Sequence, residues 1–260
     1  MNQIQVPLID NNEVMPGVCL TWLKAPQITS SARPGQFVMV RCGEEHELPL
    51  RRPLSIHQID NGKLAILFTV MGKGTQWLSQ RQTGDTLDLL GPLGNGFSIH
   101  PTSHNLLLLA GGIGIAPLCF LSQQALEQGH SVTILSGAST SAQLYPEHLL
   151  PPKVNLATVT EDGTAGKKGM LTDFLPDFID GADQVFACGP PPMYRTMSLQ
   201  KQQFQGKPVQ ISLEVRMGCG LGVCYGCTIK TKNGLKQVCQ DGPIFDLDDI
   251  LWDELNLTGV

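Results

Sequence analysis

What the chain lacks narrows its roles first. Acidic residues outnumber basic ones, 23 to 18, for a net charge of −5, and no basic patch exists to meet a phosphate backbone. Nucleic acid is therefore not an expected partner. Long apolar runs are missing too. The longest, residues 106–121, falls short of the roughly 20 residues of a bilayer span, and Gly111, Gly112, Gly114 and Pro117 break it. It reads as a buried strand entering a helix, so no membrane association is expected. Residues 1–10 hold no basic residue and include Pro7 and Asp10, which does not describe a signal peptide. These absences predict a cytoplasmic protein, where thiols stay reduced and clustered cysteines bind metal more often than they pair.

Cysteine itself is not scarce, and its distribution is uneven. Eight occur in 260 residues, and four of them are Cys219, Cys224, Cys227 and Cys239, spaced C-x4-C-x2-C-x11-C. Plant-type two-iron ferredoxins use C-x4-C-x2-C with a more distant fourth cysteine. Gly218, Gly220, Gly222 and Gly226 between and beside the thiols let the backbone curl and aim N–H groups at sulfur. A structural zinc site would sooner show two C-x2-C pairs or a histidine. A disulfide knot would need a secreted context. Both readings remain beside the iron–sulfur one.

The composition, 42% hydrophobic and 16% charged, describes a core-forming chain long enough for two domains and a small appendage. Residues 1–100 read as short strands at 18–23, 36–41, 54–59, 63–70 and 86–90, with Asn61-Gly62 as a two-residue hairpin turn. Such spacing suggests a small antiparallel barrel or sandwich. Arg51-Arg52-Pro53-Leu54-Ser55 offers guanidinium groups to a pyrophosphate and a hydroxyl to a ring edge. Gly72-Lys73-Gly74-Thr75 opens a helix over 75–82, where free N–H groups suit a phosphate. An exposed strand end and a plain Thr75 N-cap are the simpler readings of these two features.

Residues 101–210 alternate strand and helix, which implies a parallel sheet covered on both faces. A strand at 105–110 runs into Gly111-Gly112-Ile113-Gly114 and then a helix to about Gly129, the layout that sets a pyrophosphate on a helix start. Further strands are expected at 131–135, 154–160 and 184–187, and helices at 169–178 and 192–203. No lysine or arginine falls in 136–150, after the second strand, so NADH is expected over NADPH. Beyond the cysteines, 228–231 and 235–238 read as a hairpin around Asn233-Gly234, and 246–257 as a packed surface tail.

In order, RPLS, GKGT and Gly91-Pro92-Leu93-Gly94-Asn95-Gly96-Phe97 resemble the FAD-binding barrel of the ferredoxin reductase-like family. The resemblance implies that Arg52 meets the flavin pyrophosphate, with Pro53, Leu54 and Ser55 along the flavin and Ser55 at the isoalloxazine. It implies that Gly74 and Thr75 cradle the phosphates. Leu67, Phe68 and Thr69 occupy the strand where relatives often carry a tyrosine and an arginine, which leaves a ring contact to Phe68 and no cation at Thr69. Gly111, Gly112 and Gly114 then bind the dinucleotide, and Cys188, Gly189 and Pro190 form the CGP that borders the nicotinamide. Cys188 by itself reads as a small buried hydrophobe.

With SLEVRMGCGLGVCYGCTIK at the end, nearly the whole chain resembles the electron transfer subunits of NAD-dependent, class 1B dihydroorotate dehydrogenases. That implies an α+β multidomain protein: an antiparallel FAD-binding β-barrel (1–100), a doubly wound α/β NAD-binding domain (101–210) and a small C-terminal [2Fe-2S] domain (211–260). It implies that Cys219, Cys224, Cys227 and Cys239 ligate the cluster, and that electrons pass between NAD and an FMN-containing catalytic subunit. A heterotetramer of two of each subunit is the family expectation. FAD is required because a hydride carries two electrons and the cluster accepts one. No catalytic side chain is named, and Glu214 and Arg216 read as loop-ordering or partner-facing. The nearest alternative is a subunit of an NADH-dependent ferredoxin:NADP oxidoreductase or sulfide dehydrogenase, where one ligand is often aspartate. A zinc-stabilised binding module is the alternative from another class.

Overall fold

Six strands form an antiparallel barrel: β1 (Asn2–Met15), β2 (Val18–Lys24), β3 (Phe37–Val40), β4 (Arg52–Asp60), β5 (Lys63–Thr69) and β6 (Thr86–Leu93). They close in the order β1-β2-β5-β4-β3-β6. The structure is a computed structural model and describes residues 2–43 and 48–255. A four-residue turn of helix, α1 (Pro26–Thr29), follows β2, and α2 (Lys73–Ser79) follows β5. The sequence reading leaves 2–15 without a strand. That strand forms because its halves have different partners: 2–7 pair with β6 and 8–15 with β2, with an irregularity between Leu8 and Asp10. Pro7 stands at the changeover, where a missing N–H is tolerated.

The second unit is a seven-stranded sheet. Its strands are β7 (Asn105–Gly111), β8 (Ser131–Ala138), β9 (Asn155–Thr160), β10 (Lys167–Lys168), β11 (Gln184–Cys188), β12 (Val209–Ser212) and, from the C-terminal segment, β15 (Ile244–Asp246). They run in the order β10-β9-β8-β7-β11-β12-β15. All neighbours are parallel except β12 and β15. β11 is buried along its whole length, as a parallel strand covered on both faces must be. Helix α3 (Ile115–Glu127) packs on this sheet and on β4 of the barrel. The expected helix over 169–178 is instead a 3₁₀ turn, Leu171–Phe174, and a short α4 (Pro176–Ile179). Pro176 has no N–H to continue a helical ladder, so the segment divides there. The other expected helix is α5 (Pro191–Leu199), which ends before a separate 3₁₀ turn.

β13 (Thr228–Thr231) and β14 (Gly234–Gln237) form the hairpin beyond the cysteine loop, and α6 (Val238–Asp241) follows it. Since β15 completes the large sheet, the C-terminal segment is built into the rest of the molecule. One core cluster joins Phe37, Met39 and Leu93 of the barrel to Leu107 and Ala187 of the sheet and to Cys227, Val238 and Cys239. Another joins Leu20 and Leu67 to Leu106, Leu118 and Phe186. At about 1.5–3 kcal/mol per fully buried large aliphatic side chain, such shared cores hold the modules together. The tail packs as expected, with Leu247, Ile250 and Trp252 buried. Asn256 and Leu257 lie outside the described residues.

Candidate cofactor sites and cysteine loop

The cysteine loop curls because its backbone repeatedly enters the left-handed region. Gly220 has φ +71°, Gly222 φ +74° and, less usually for a bulky residue, Tyr225 φ +58°. A Cβ on Gly220 would stand 2.6 Å from Met39 Cγ, so the loop rests directly on strand β3. The N–H of Leu221 points at Cys219 Sγ (3.3 Å) and that of Gly222 at Cys239 Sγ (3.2 Å). The Cys227 and Cys239 sulfurs are 3.3 Å apart, and the Cys224 thiol hydrogen-bonds Cys219. The four thiols thus form two pairs, 219 with 224 and 227 with 239. Among the described residues, no three such groups converge on a point as one ion would need. Two pairs of thiols with inward N–H donors suit two irons with four cysteine ligands. Burial opposes a thiolate at Cys219, but N–H groups of Leu221, Cys224 and Val223 and the Cys224 thiol outweigh it and bring the pKa to about 6. Burial, and then Cys227, push Cys239 up to about 12.

On the barrel, the two arginines divide their roles. Arg51 turns away to Asp88, with Nη2 2.9 Å from the carboxylate and Nη1 donating to the Asp88 carbonyl at 3.0 Å. Arg52 leans over the start of α2, where a Cβ on Gly74 would lie 2.8 Å from Arg52 Nε. Gly74 is therefore the residue that lets a guanidinium lie against a helix start. The Thr75 hydroxyl is engaged within this turn, accepting from the N–H groups of Met71 (2.9 Å) and Gly72 (3.2 Å). Pro53, Leu54 and Ser55 are half-buried along β4. Leu67 and Phe68 are 2% exposed, and Phe68 packs inside the barrel. The expected Phe68 ring contact is thus not available, because alternation along β5 turns that ring into the core. Thr69 is half-buried beside it.

The third location is where the sheet order turns. β7 lies beside β8 on one side and β11 on the other, so the carboxyl ends of β7 and β11 flank the topological switch point, the crevice where open α/β sheets bind ligands. Gly111, Gly112 and Gly114 meet Cys188, Gly189 and Pro190 there. A Cβ on Gly114 would fall 1.9 Å from the Cys188 carbonyl oxygen, and one on Gly111 2.8 Å from Pro190 Cδ. The Cys188 side chain points into the core, and burial, with Glu214 nearby, raises its pKa well above the ordinary thiol value. The thiol itself is closed off from solvent and hydrogen-bonded to Tyr194 and Ser212. Beneath this loop, the Gly189 N–H donates to the Tyr194 hydroxyl (2.9 Å), which donates to the Ser212 carbonyl (2.7 Å).

Two features escape a reading along the sequence, and a third, Glu214, read there as loop-ordering or partner-facing, has neighbours that reading did not give it. Glu214 is open to solvent yet hemmed in by protein, as a cleft-lining group is, and burial raises its pKa. It lies close enough to Cys188 and Tyr194 to perturb both, so it belongs with the crevice. His57 is fully buried between barrel and sheet, its Nδ1 2.9 Å from the Ala116 carbonyl and its Nε2 2.9 Å from the Tyr145 hydroxyl. At the end of β8, Ser139 Oγ donates to Glu161 (2.8 Å), so a carboxylate occupies the ground where a 2′-phosphate would require a cation. None of these pairings has a spacing signature, because each joins elements far apart in the chain.

The cysteine loop and the barrel segment adjoin one another. Met39, on which Gly220 rests, pairs with Pro53 of β4. The cysteine loop thus rests on the strand that pairs with the Arg52–Ser55 segment.

A family model described as the iron-sulfur cluster binding domain of dihydroorotate dehydrogenase B matches residues 214–251. The electron transfer subunit of dihydroorotate dehydrogenase B (NAD(+)) from Bacillus caldolyticus is 39% identical over 226 residues, 84% of this chain and 87% of that one. Its counterpart from Desulforamulus reducens is 36% identical over 249 residues, 92% and 95% of the two chains. Among solved structures, an NADH-dependent reduced ferredoxin-NADP oxidoreductase studied for flavin-based electron bifurcation superposes with TM-score 0.86 at 32% identity, covering 98% of this chain and 92% of that one. A ferredoxin NADP+ reductase from Neisseria gonorrhoeae with bound FAD and NADP shares the fold, with TM-score 0.62 at 19% identity over 79% and 92%.

Proposed function

The chain belongs to the family of dihydroorotate dehydrogenase B (NAD(+)) electron transfer subunits, and from that premise we propose which of its residues carry electrons between a catalytic partner and NAD. It is an NAD-linked iron–sulfur flavoprotein subunit serving pyrimidine synthesis. When bound, FAD exchanges a hydride with NAD(H) on one side and single electrons with a [2Fe-2S] cluster on the other. Cys219, Cys224, Cys227 and Cys239 are the cluster ligands in this reading, and their pairing two by two is the observation that carries it. Arg52, the turn Gly74-Thr75 and the half-buried edge Pro53-Leu54-Ser55 hold FAD, with the β5 segment 67–69 contributing backbone and Thr69. Gly111, Gly112, Gly114 and Cys188-Gly189-Pro190 receive NAD(H), by backbone rather than by the Cys188 thiol. The carboxylate of Glu161 favours NADH over NADPH.

Dihydroorotate is oxidised on another chain. The described residues form a six-stranded barrel, an open sheet and a cysteine segment, and no (β/α)₈ barrel of about 250 residues is among them. The partner carries FMN and pairs with this chain as a heterotetramer of two of each, in the cytoplasm. Among the described residues, no helix is long and apolar enough to cross a membrane. The boundaries proposed for the three modules are 1–100, 101–210 and 211–260. A second reading, a subunit of an NADH-dependent ferredoxin:NADP oxidoreductase, draws support from the structural likeness at 32% identity. The curated relatives and the cluster-domain model favour the first. The test is cofactor analysis of the purified chain. One FAD, two irons and two sulfides per chain, with flavin absorbance bleached by NADH, are expected. A colourless protein holding one zinc would refute the reading.

A further inference from the structure

Tyr194 is a buried ionisable group for which electron transfer has no direct use. It lies on α5, 1% exposed, and burial raises its pKa well above that of an ordinary phenol. It stays neutral, and besides a hydrogen bond shared with the Cys188 thiol its hydroxyl makes one backbone bond of each kind. It accepts from the Gly189 N–H at 2.9 Å and donates to the Ser212 carbonyl at 2.7 Å. Its ring stacks on Trp252, with centroids 5.5 Å apart at 29°, and Trp252 Nε1 donates to the Leu247 carbonyl at 3.0 Å. The ring is therefore clamped from the side and the hydroxyl from both ends.

The two backbone groups that it joins matter. Gly189 directly follows β11, at the edge of the crevice that Gly111 and Gly114 approach without side chains. Ser212 ends β12, which leads through Glu214 to Cys219. A glycine followed by three prolines has neither a side chain nor spare N–H groups to fix its height above the sheet. The phenol supplies that fixation from below.

We propose that Tyr194 is a positioning residue for NAD(H): its hydroxyl sets the Gly189 peptide against which the nicotinamide lies. The inference rests on the reading above, that the crevice takes NAD(H) beside FAD. Positioning acts on rate more than on affinity, since a displacement of about 1 Å at the reacting atoms costs up to about 100-fold.

The test uses the FAD- and cluster-loaded protein and Tyr194→Phe, which keeps the ring and removes the hydroxyl's bonds to Gly189, Ser212 and the Cys188 thiol. Three readouts are taken: hydrogen–deuterium exchange of the backbone at 187–193, equilibrium binding of NAD+, and the rate of flavin bleaching by NADH in stopped flow. Faster exchange at Gly189, a rate lowered by about tenfold or more and a dissociation constant changed by less than about threefold are expected. FAD and iron contents should match wild type. Unchanged exchange and rate would overturn the inference, as would a loss of rate that only follows loss of cofactor. Val132→Ala, in the core at the start of β8 and so at the opposite end of the sheet from the crevice, is the control for general loosening. It should lower Tm and leave the bleaching rate alone, and equal slowing in both variants would also overturn the inference. Should Tyr194→Phe not fold, the wild-type holoprotein still decides: the Gly189 amide must be protected, and exchange at the rate of an unbonded loop amide contradicts the proposal. Wild-type protein without an NADH-reducible flavin would sink the functional reading as well, whereas normal wild-type reduction with an unimpaired Tyr194→Phe would sink this inference alone.

Discussion

Glycine decides the site at three positions, each for a steric reason. At Gly74 a methyl would strike Arg52, at Gly220 it would strike Met39, and at Gly114 it would lie 1.9 Å from the Cys188 carbonyl oxygen. The last is the severest, because the obstacle is backbone. Gly114→Ala is expected to force β7 and β11 apart at the crevice, costing about 1–3 kcal/mol or more in stability. NAD(H) binding should weaken at least tenfold while FAD and iron contents hold, as equilibrium binding and cofactor analysis would show. Much at this scale is legible in the sequence. The cysteine spacing and the glycine turns are local patterns, and local patterns survive without a fold. Phe68 is the counterexample: its place in the strand was clear, but the face it takes depends on barrel register. Tyr194 is another, since its partner Ser212 becomes a neighbour only when β12 lies beside β11.

Among elements, the contact of β4 with α3 joins barrel to sheet, and His57 is its polar centre. The Ala116 carbonyl accepts from Nδ1–H, which leaves Nε2 to accept from the Tyr145 hydroxyl and fixes the neutral tautomer. Burial lowers the His57 pKa from 6.5 to about 4. Above pH 6.5 the residue is neutral folded or unfolded, and its contribution to stability is complete. As pH falls from 6.5 towards 4, the unfolded chain takes up a proton that the folded one refuses, and about 3 kcal/mol is lost. Tm should therefore fall through that window, and His57→Gln, which keeps a donor and an acceptor, should flatten this part of the profile. An equally steep profile in the variant would contradict the assignment. Elements were less legible than residues. β1 was hidden by Pro7 and the Asp10-Asn11-Asn12 run, and what forms it is a change of partner midway. The short β12 and β15 gain their meaning from each other across the sheet edge.

For the molecule as a whole, the three sites share the barrel: the cysteine loop rests on β3, which pairs with the Arg52–Ser55 segment, and the crevice turn Gly112–Gly114 contacts β5. On the cysteine loop Val223 and Tyr225 are 73% and 70% exposed, beside the exposed Cys224. Tyr225 holds a left-handed backbone to stand there, and strain of that kind costs on the order of 1–3 kcal/mol. An apolar rim around a cluster is where a catalytic partner would dock. Val223→Glu should abolish co-purification of the FMN subunit while leaving iron, sulfide and FAD in place; intact co-purification would show that docking lies elsewhere. The order of the modules was legible because each carries its own motif, and their mutual seating was not, because Gly220 on Met39 and His57 on Ala116 are contacts of the finished fold. The most direct test of the account is NAD+-dependent orotate formation by this chain co-purified with an FMN dihydroorotate dehydrogenase subunit. Orotate and NADH appearing one for one, only with both chains present, is the predicted result; a pair that forms no orotate yet reduces ferredoxin with NADH would contradict it.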